Sequence, residues 1–139
     1  MYSAATTGER EGDGVQVTRM YKGSDGISHF EDVKVPAKLT RVGEISRWFP
    51  TDSVLFREVP EGLFLDWHLA DNRVFIAILR GRIEVTLGEG VVRQFGPGDI
   101  VFAEDQDGRG HQTHDIEGPR MSLMIKVPDD FNIDDWERI

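Results

Sequence analysis

Cysteine is absent from the 139 residues of this chain. Its absence excludes disulfide bridges, thiolate metal sites and cysteine nucleophiles, since each of them needs a thiol. Basic residues are also in the minority, because 16 Lys and Arg face 25 Asp and Glu, which gives a formal net charge of −9. We therefore expect no nucleic-acid partner, because affinity for phosphates comes largely from cationic side chains.

Long apolar runs are missing as well. No stretch of the sequence approaches the ~20 residues of a membrane-spanning helix, and the acidic balance disfavours binding to an anionic membrane surface. Residues 1–7 lack the basic-then-apolar order of a secretory signal. We expect a soluble, cytoplasmic protein that does not interact with membranes.

Polarity divides the chain into three parts. Residues 1–14 are small, polar and charged, which predicts a flexible N-terminal arm because they have little apolar area to bury. Residues 15–128 carry the apolar patterning and predict one folded domain. Residues 129–139 are acidic but contain Trp136, and they predict either a short amphipathic turn packed on the core or a loose end.

Period-two patterns and turn signals alternate at short intervals from residue 15 onward. No long segment has apolar residues at helical spacing, although residues 44–49 fit either a brief helix or an irregular link. Such a pattern predicts an all-β sandwich or barrel with short irregular or helical terminal segments. The strands predicted in this way are 15–20, 29–35, 53–59, 63–69, 74–79, 82–87, 91–95, 99–103, 111–116 and 121–127.

One stretch resembles a known family. Gly81 is followed by a glycine hairpin, then by the turn Gly96-Pro97-Gly98-Asp99 between two β segments, and after a loop by His111. These residues resemble the cupin superfamily, whose two motifs read G-x5-H-x-H-x(3,4)-E-x6-G and G-x5-P-x-G-x2-H-x3-N.

The resemblance covers roughly residues 53–127, and it is nearest to small single-domain cupins of the conserved-barrel type. It implies a single jelly-roll-like cupin β-barrel. It also implies a homodimer, for which residues 15–40 are the candidate edge or exchanged strands, because an exposed edge must be paired or blunted.

The metal motif of the family is degenerate in this chain. His68 and His111 match two of the four ligand positions, whereas Ala70 and Val74 occupy the other two and cannot coordinate a metal. Two imidazoles alone hold a divalent ion weakly. The resemblance therefore implies either no cofactor or a weakly held Fe, Mn, Ni or Zn ion on His68 and His111.

The same motif positions predict a pocket with apolar walls and a few convergent polar groups. We expect His68 and His111 to be catalytic, with Glu104 as an auxiliary proton carrier. The expected substrate-binding residues are Phe64, Asp66, Arg73, Val74, Ile76, Arg109, Thr113 and Met124.

The resulting hypothesis is an enzyme that acts on a small organic substrate by non-redox acid/base chemistry, of isomerase, cyclase, dehydratase or decarboxylase type. These reactions proceed by proton transfer and charge stabilisation, for which imidazole is well suited near neutral pH. Two alternatives stay open. One is a metal-dependent, dioxygenase-like cupin with a reduced ligand set, and the other is a cupin that binds a small molecule without converting it.

Overall fold

The computed structural model describes residues 14–139, and nearly all of its regular structure is β-strand. The prediction of an all-β chain is thereby confirmed, whereas the predicted N-terminal arm lies outside the described residues except for Gly14. The strands are β1 (Gln16–Lys22), β2 (Ser28–Lys34), β3 (Lys38–Thr40), β4 (Gly43–Ile45), β5 (Ser53–Val59), β6 (Phe64–His68), β7 (Val74–Thr86), β8 (Val92–Phe95), β9 (Ile100–Ala103), β10 (His111–Lys126) and β11 (Glu137–Arg138), with a short 3₁₀ turn at Gly88–Gly90.

Nine of these strands form one mixed sheet in the order β11-β2-β1-β9-β7-β10-β5, with β6 added to β10 and β8 added to β7. The pair β1–β9 is parallel and the other pairs are antiparallel. Strand β1 lies between β2 and β9. Of the two possibilities for residues 15–40, a sheet edge is therefore wrong for β1, while an exchanged strand stays a prediction. The two strands at the ends of this order are β11 and β5, and β5 is the longer of them.

The two longest strands, β7 and β10, each run through a turn signal that predicted two separate strands. Val74–Ala77 pairs with β9 and Ile83–Thr86 pairs with β8, while β10 follows β7 along both halves. The register of the β7–β10 pair shifts three times in its middle. Such irregularities bend strands. Because β7 and β10 continue on both sides of the irregular region, both halves of the sheet contain these two strands.

Side-chain alternation gives the sheet one apolar inner face. Ile76 of β7 is paired with Val101 of β9 and with Met124 of β10, and Met124 is paired with Leu55 of β5. Directly paired residues present their side chains on the same face. The buried cluster on this face therefore continues across strands that are distant in sequence.

The C-terminal segment after β10 is packed on the opposite side. Phe131, Ile133 and Trp136 are buried, and they form a second apolar cluster with Phe102 and the half-buried Phe75. Strand β11 adds to the edge of β2. Of the two possibilities for residues 129–139, the packed segment is the one observed, and its aromatic residues explain why an otherwise acidic segment is held.

Residues 38–45 form a separate hairpin of β3 and β4. Of the two possibilities for residues 44–49, the helix is not observed, since residues 44–45 belong to β4 and residues 46–49 are irregular. Gly43 has a φ of +115°, a backbone conformation that turns the chain and that side-chain-bearing residues rarely adopt. The part of the chain that the structure describes contains no helix with the length and apolar character needed to cross a bilayer.

Candidate functional site

A cavity of about 510 Å³ lies against the inner face of the sheet, and it is the candidate site. Most of its lining is apolar, from residues such as Ile78, Phe95 and Val101. The polar members of the lining include His68 and His111. Apolar walls with a few convergent polar groups are typical of pockets that bind small organic molecules.

The two histidines meet at the end of the β6–β10 pair. His111, the first residue of β10, is directly opposite His68, the last residue of β6. Their ring centroids are 4.3 Å apart and the rings are inclined at 60°. His111 is buried, whereas His68 is partly exposed. The structure therefore brings these two side chains together at one pocket, as the sequence predicts.

His111 is held by a buried carboxylate. Its Nδ1 lies 2.6 Å from Oδ2 of Asp105, and the Ser28 hydroxyl donates to the same oxygen over 2.7 Å. Asp105 is fully buried, and its other oxygen, Oδ1, has no hydrogen-bond partner among the described residues. A carboxylate accepts only, so Nδ1 of His111 must carry the hydrogen. In the neutral ring, Nε2 is then the free acceptor.

His68 is fixed in the same tautomer by the backbone. Its Nδ1 lies 2.7 Å from the carbonyl oxygen of Asp66, which can only accept. Nε2 of His68 is therefore also left as the acceptor, and neither Nε2 atom makes a hydrogen bond to a residue of the described chain. Two imidazole nitrogens with available lone pairs are thus present side by side at the cavity.

A bulge in β6 decides which of its side chains reach the cavity. His111 is paired with His68 but Thr113 with Leu65, so the β6 side has one extra residue in this interval. An extra residue reverses the alternation of side chains. Leu65 consequently lines the cavity with His68, while the predicted substrate-binding residues Phe64 and Asp66 do not.

Both displaced residues have other contacts. The ring of Phe64 packs edge-to-face against the exposed His114. The carboxylate of Asp66 accepts hydrogen bonds from the Gln112 side chain at 2.7 Å and from the Trp67 backbone N–H at 2.9 Å, which lower the pKa of Asp66 below its ordinary value. Asp66 contributes to the site through its carbonyl oxygen, which holds His68.

Glu104 is not part of the cavity lining. Its carboxylate accepts hydrogen bonds from Arg19 and, at 3.1 and 3.2 Å, from Arg73. Alternation along β9 explains the placement, because Val101 and Ala103 line the cavity and the next residue points away. The expectation that Glu104 and Arg73 face the pocket is therefore wrong, since they pair with each other outside it.

Of the other predicted binding residues, one lies outside the cavity and four line it. Arg109 is exposed and its guanidinium lies 5.3 Å from the ring centroid of Trp67, so it too is absent from the cavity lining. The remaining four predicted residues do line the cavity: Val74, Ile76, Thr113 and Met124.

Sequence reasoning missed Ser28 and Arg57, and of the two adjacent carboxylates Glu104 and Asp105 it selected Glu104, whereas Asp105 is the one that contacts His111. A signal for Asp105 is present, because the alternation of Val101 and Ala103 continues to it, and the Glu104 N–H extends the strand pairing by donating to the Met20 carbonyl. Ser28 starts β2, and no local pattern connects it to a residue 77 positions away. Arg57 lines the cavity from β5, in a segment that gave no motif.

A buried ion pair closes another part of the cavity wall. Arg120 is bound by Asp115 through Nε and through Nη2 at 3.4 Å, and its Nη1 donates to the Ser122 hydroxyl at 3.0 Å. All three residues are buried. The charge of Arg120 is therefore neutralised within the protein, although the side chain lines the cavity.

The donor set does not fit a metal ion held by the protein alone. Among residues 14–139 no three His, Asp or Glu side chains come together as ligands. Ala70 and Val74, which the sequence resemblance matches to the remaining ligand positions, do line the cavity, but their side chains supply only carbon atoms. A divalent ion would have the two imidazoles as its protein ligands, which is a weak site.

Comparison with known proteins shows a distant structural similarity and no family. No protein-family model matches the chain and no curated protein matches it. Among solved structures, the chain is similar to the crystal structure of the conserved SPY1581 protein of unknown function from Streptococcus pyogenes, with a TM-score of 0.41 and 17% identity, covering 59% of this chain and 81% of that chain. A likeness at this level carries no argument about function.

Proposed function

We propose that the protein is a small-molecule enzyme of cupin type that carries out non-redox acid/base chemistry in the cavity. The observation that supports this proposal is the pair of imidazoles at the cavity, one of which is hydrogen-bonded to the buried Asp105. Reactions within reach are isomerisation, cyclisation, dehydration and decarboxylation, because each needs a proton to be removed from or returned to a bound organic molecule.

His111 is the general base of this mechanism. Its Nε2 accepts a proton from the substrate, and the resulting imidazolium is stabilised through Nδ1 by the carboxylate of Asp105. A carboxylate behind an imidazole acts in this way by orienting the ring and by favouring its charged form, without taking the proton itself. The Ser28 hydroxyl keeps Oδ2 of Asp105 in position.

His68 is the partner acid. When its Nε2 is protonated, it donates to the oxygen of the substrate on which negative charge develops, while its Nδ1 stays bound to the Asp66 carbonyl. Charge stabilisation by a fixed donor in a site with little water is worth much more than in bulk solvent. The apolar walls of the cavity supply such an environment.

A homodimer is part of the same proposal. Strand β5 lies at the end of the sheet order, and its Val54 and Phe56 are exposed, the latter by 81%. An apolar edge strand of this kind is a surface that proteins normally cover. Sedimentation velocity should give about twice the mass of one chain, whereas a monomer at micromolar concentration would contradict the dimer.

The test of the enzyme proposal uses hydrogen–deuterium exchange at carbon. A mixture of small carbonyl and hydroxy compounds is incubated with the protein in D₂O, and ¹H NMR follows the loss of C–H signals. General-base catalysis contributes ~10²–10⁴-fold, so we expect exchange or conversion of at least one compound to slow ~100-fold in His111→Gln and in His68→Gln. His114→Gln is the matched control, because His114 is exposed and outside the cavity.

Three other results would contradict the proposal. Undiminished exchange in the two cavity variants, with circular dichroism showing that they are folded, would remove the histidines from the mechanism. Loss of exchange with a chelator and its recovery with Fe, Mn, Ni or Zn would favour the metal-dependent alternative. A compound that binds in the cavity but neither exchanges nor converts would favour a binding role.

A further inference from the structure

We propose that the substrate is a small organic molecule with one carboxylate group, and that Arg57 binds this carboxylate at the cavity. The inference rests on the proposed function, since it names the substrate class of the same cavity. Arg57 is a half-buried cavity-lining residue whose side chain has no ion pair or hydrogen bond to the residues that the structure describes.

The position of Arg57 on β5 directs its side chain to the inner face. Arg57 is paired with Ser122 of β10, and two residues earlier Leu55 is paired with Met124. Paired residues share a face, and residues two apart on a strand do so as well. Because Leu55 and Met124 both line the cavity, the guanidinium of Arg57 extends from the same row of apolar side chains.

Arg120, the second arginine of the cavity lining, shows which hydrogen-bond partners a buried guanidinium has in this part of the protein. Arg120 has a carboxylate on Nε and Nη2 and a hydroxyl on Nη1. Arg57 lies beside this group, opposite Ser122, and has no such partner among the described residues. Partial burial of a charge is costly unless an opposite charge or hydrogen bonds compensate, and a bound anion would supply both.

The half-buried charge of the lining that lacks an ion pair with any described residue is positive, which favours an anion over a cation at that position. The ionisable members of the lining are Arg57, Arg120, His68, His111 and Asp71. The charge of Arg120 is offset by Asp115, and Asp71 is exposed in the loop between β6 and β7. Arg57 is consequently the one half-buried charge of the lining that the protein does not neutralise within residues 14–139.

One guanidinium and apolar walls match a monocarboxylate. A carboxylate can accept two parallel hydrogen bonds from one guanidinium, and its remaining hydrocarbon part fits a lining such as that of Leu65 and Ile76. A phosphate ester carries nearly twice the charge and needs further donors, which the mainly apolar lining does not offer. Arg57 would therefore hold one end of the substrate while the histidines act on another part of it.

The experiment measures binding, so that it is independent of turnover. Propionate, isovalerate, benzoate and phenylacetate are each compared with their own uncharged amide by ligand-detected NMR titration against the full chain. We expect at least one acid to bind more tightly than its amide. Arg57→Gln should weaken binding of that acid about ten-fold or more, because a charge-assisted hydrogen-bond pair is lost, and should leave binding of the amide unchanged.

Arg41→Gln is the control for general electrostatics, since it removes the same charge from an exposed position outside the cavity. It should bind the acids as the unmodified protein does. Arg57→Lys should recover only part of the affinity, because an ammonium group lacks the bidentate geometry.

Three results would overturn the inference. Equal affinity for every acid and its amide, absence of binding included, would exclude a carboxylate subsite. Acid binding that Arg57→Gln leaves unchanged would exclude Arg57 as the residue that binds the carboxylate. Tighter Arg57-dependent binding of phenyl phosphate than of any acid would overturn the choice of carboxylate. Failure of the proposed function is separate, because His111→Gln would then leave the C–H exchange intact while Arg57 still bound the acids.

Discussion

A Cβ atom placed on Gly81 of β7 would lie 2.7 Å from the Cα atom of Arg120 on β10 and 2.7 Å from the carbonyl oxygen of Glu117. Gly81 also has a φ of +83°, where side-chain-bearing residues are strained. The two long strands therefore approach each other here more closely than any other residue type would permit, at the centre of their irregular pairing.

Gly81→Ala should consequently be more destabilising than a glycine substitution made for backbone strain alone. Strain at positive φ costs about 1–2 kcal/mol, and the clash with backbone atoms adds roughly 1–3 kcal/mol. Urea unfolding should show the full loss for Gly81→Ala. The matched control is Gly62→Ala, since Gly62 has a φ of +92° but no heavy atom within 4 Å of the added Cβ. Equal losses in the two variants would contradict the close approach.

The all-β class could be predicted from the sequence. The boundaries of a strand could be predicted where a turn signal ends that strand. The approach at Gly81 could not be predicted, because the motif marks the glycine without its contact partner. The sequence also predicts two strands where the structure has the single strand β7. Arg80-Gly81 has the composition of a turn, but the backbone pairing with β10 continues on both sides of it. Long-range pairing overrides local turn preference in this case.

The site was predicted in part. His68 and His111 were expected at one pocket from motif spacing, and the structure brings their rings together. Simple alternation along β6 predicts the wrong cavity-facing side chains, because the bulge between His68 and Leu65 depends on the pairing with β10. Arg57 became a candidate only when the structure showed that it has no partner among the described residues while Arg120 has two.

Trp136 should contribute strongly to stability although it lies three residues from the C-terminal end of the chain. It is 5% exposed and its ring lies 5.6 Å from that of Phe49 and 6.2 Å from that of Phe75. Truncation of a buried aromatic side chain costs ~3–5 kcal/mol, so Trp136→Ala should lower the unfolding midpoint in urea markedly. Trp48→Ala is the control of the same residue type, because Trp48 is 97% exposed. It should change stability by less than about 0.5 kcal/mol.

Asp32 should make stability depend on acidity. Its carboxylate accepts hydrogen bonds from Arg93 at 2.8 and 3.1 Å and from the Thr18 hydroxyl at 2.8 Å. The Arg93 bonds are the largest cause of a pKa of Asp32 below the ordinary 3.8. A lowered pKa contributes stability that is present above pH ~4 and is lost as the pH falls through the folded-state pKa.

The stability difference between the unmodified protein and Asp32→Asn should therefore be largest at pH 7 and shrink by pH 3. It should reach at most about 1 kcal/mol, because both side chains are 39% exposed and solvent screens the pair. Urea unfolding at pH 7, 5 and 3 measures it, with Asp129→Asn as an exposed control. A difference that grew towards low pH would have the wrong sign and would contradict the role of Arg93.

Asp105→Ala should change the tautomer of His111 as well as stability. Without the carboxylate, the His111 Nδ1–H and the Ser28 hydroxyl lose their acceptor, which costs about 2–3 kcal/mol when both donors stay buried. The neutral His111 ring should then populate the Nε2–H form, because no acceptor holds the hydrogen on Nδ1. Long-range ¹H–¹⁵N correlation spectra, in which the chain's 4 histidines can be assigned by single substitutions, report this change directly.

Ser28→Ala separates the two effects. It removes one donor from Asp105 but leaves the bond to His111, so stability should fall by about 1 kcal/mol while His111 stays in its Nδ1–H form. Asp105→Asn should give an intermediate result, since its amide oxygen can accept both hydrogens that Oδ2 accepts now but carries no charge to stabilise an imidazolium. If the ¹⁵N shifts of His111 were the same in Asp105→Ala and in the unmodified protein, Asp105 would not determine the tautomer, and the general-base role of His111 would lose its orienting group.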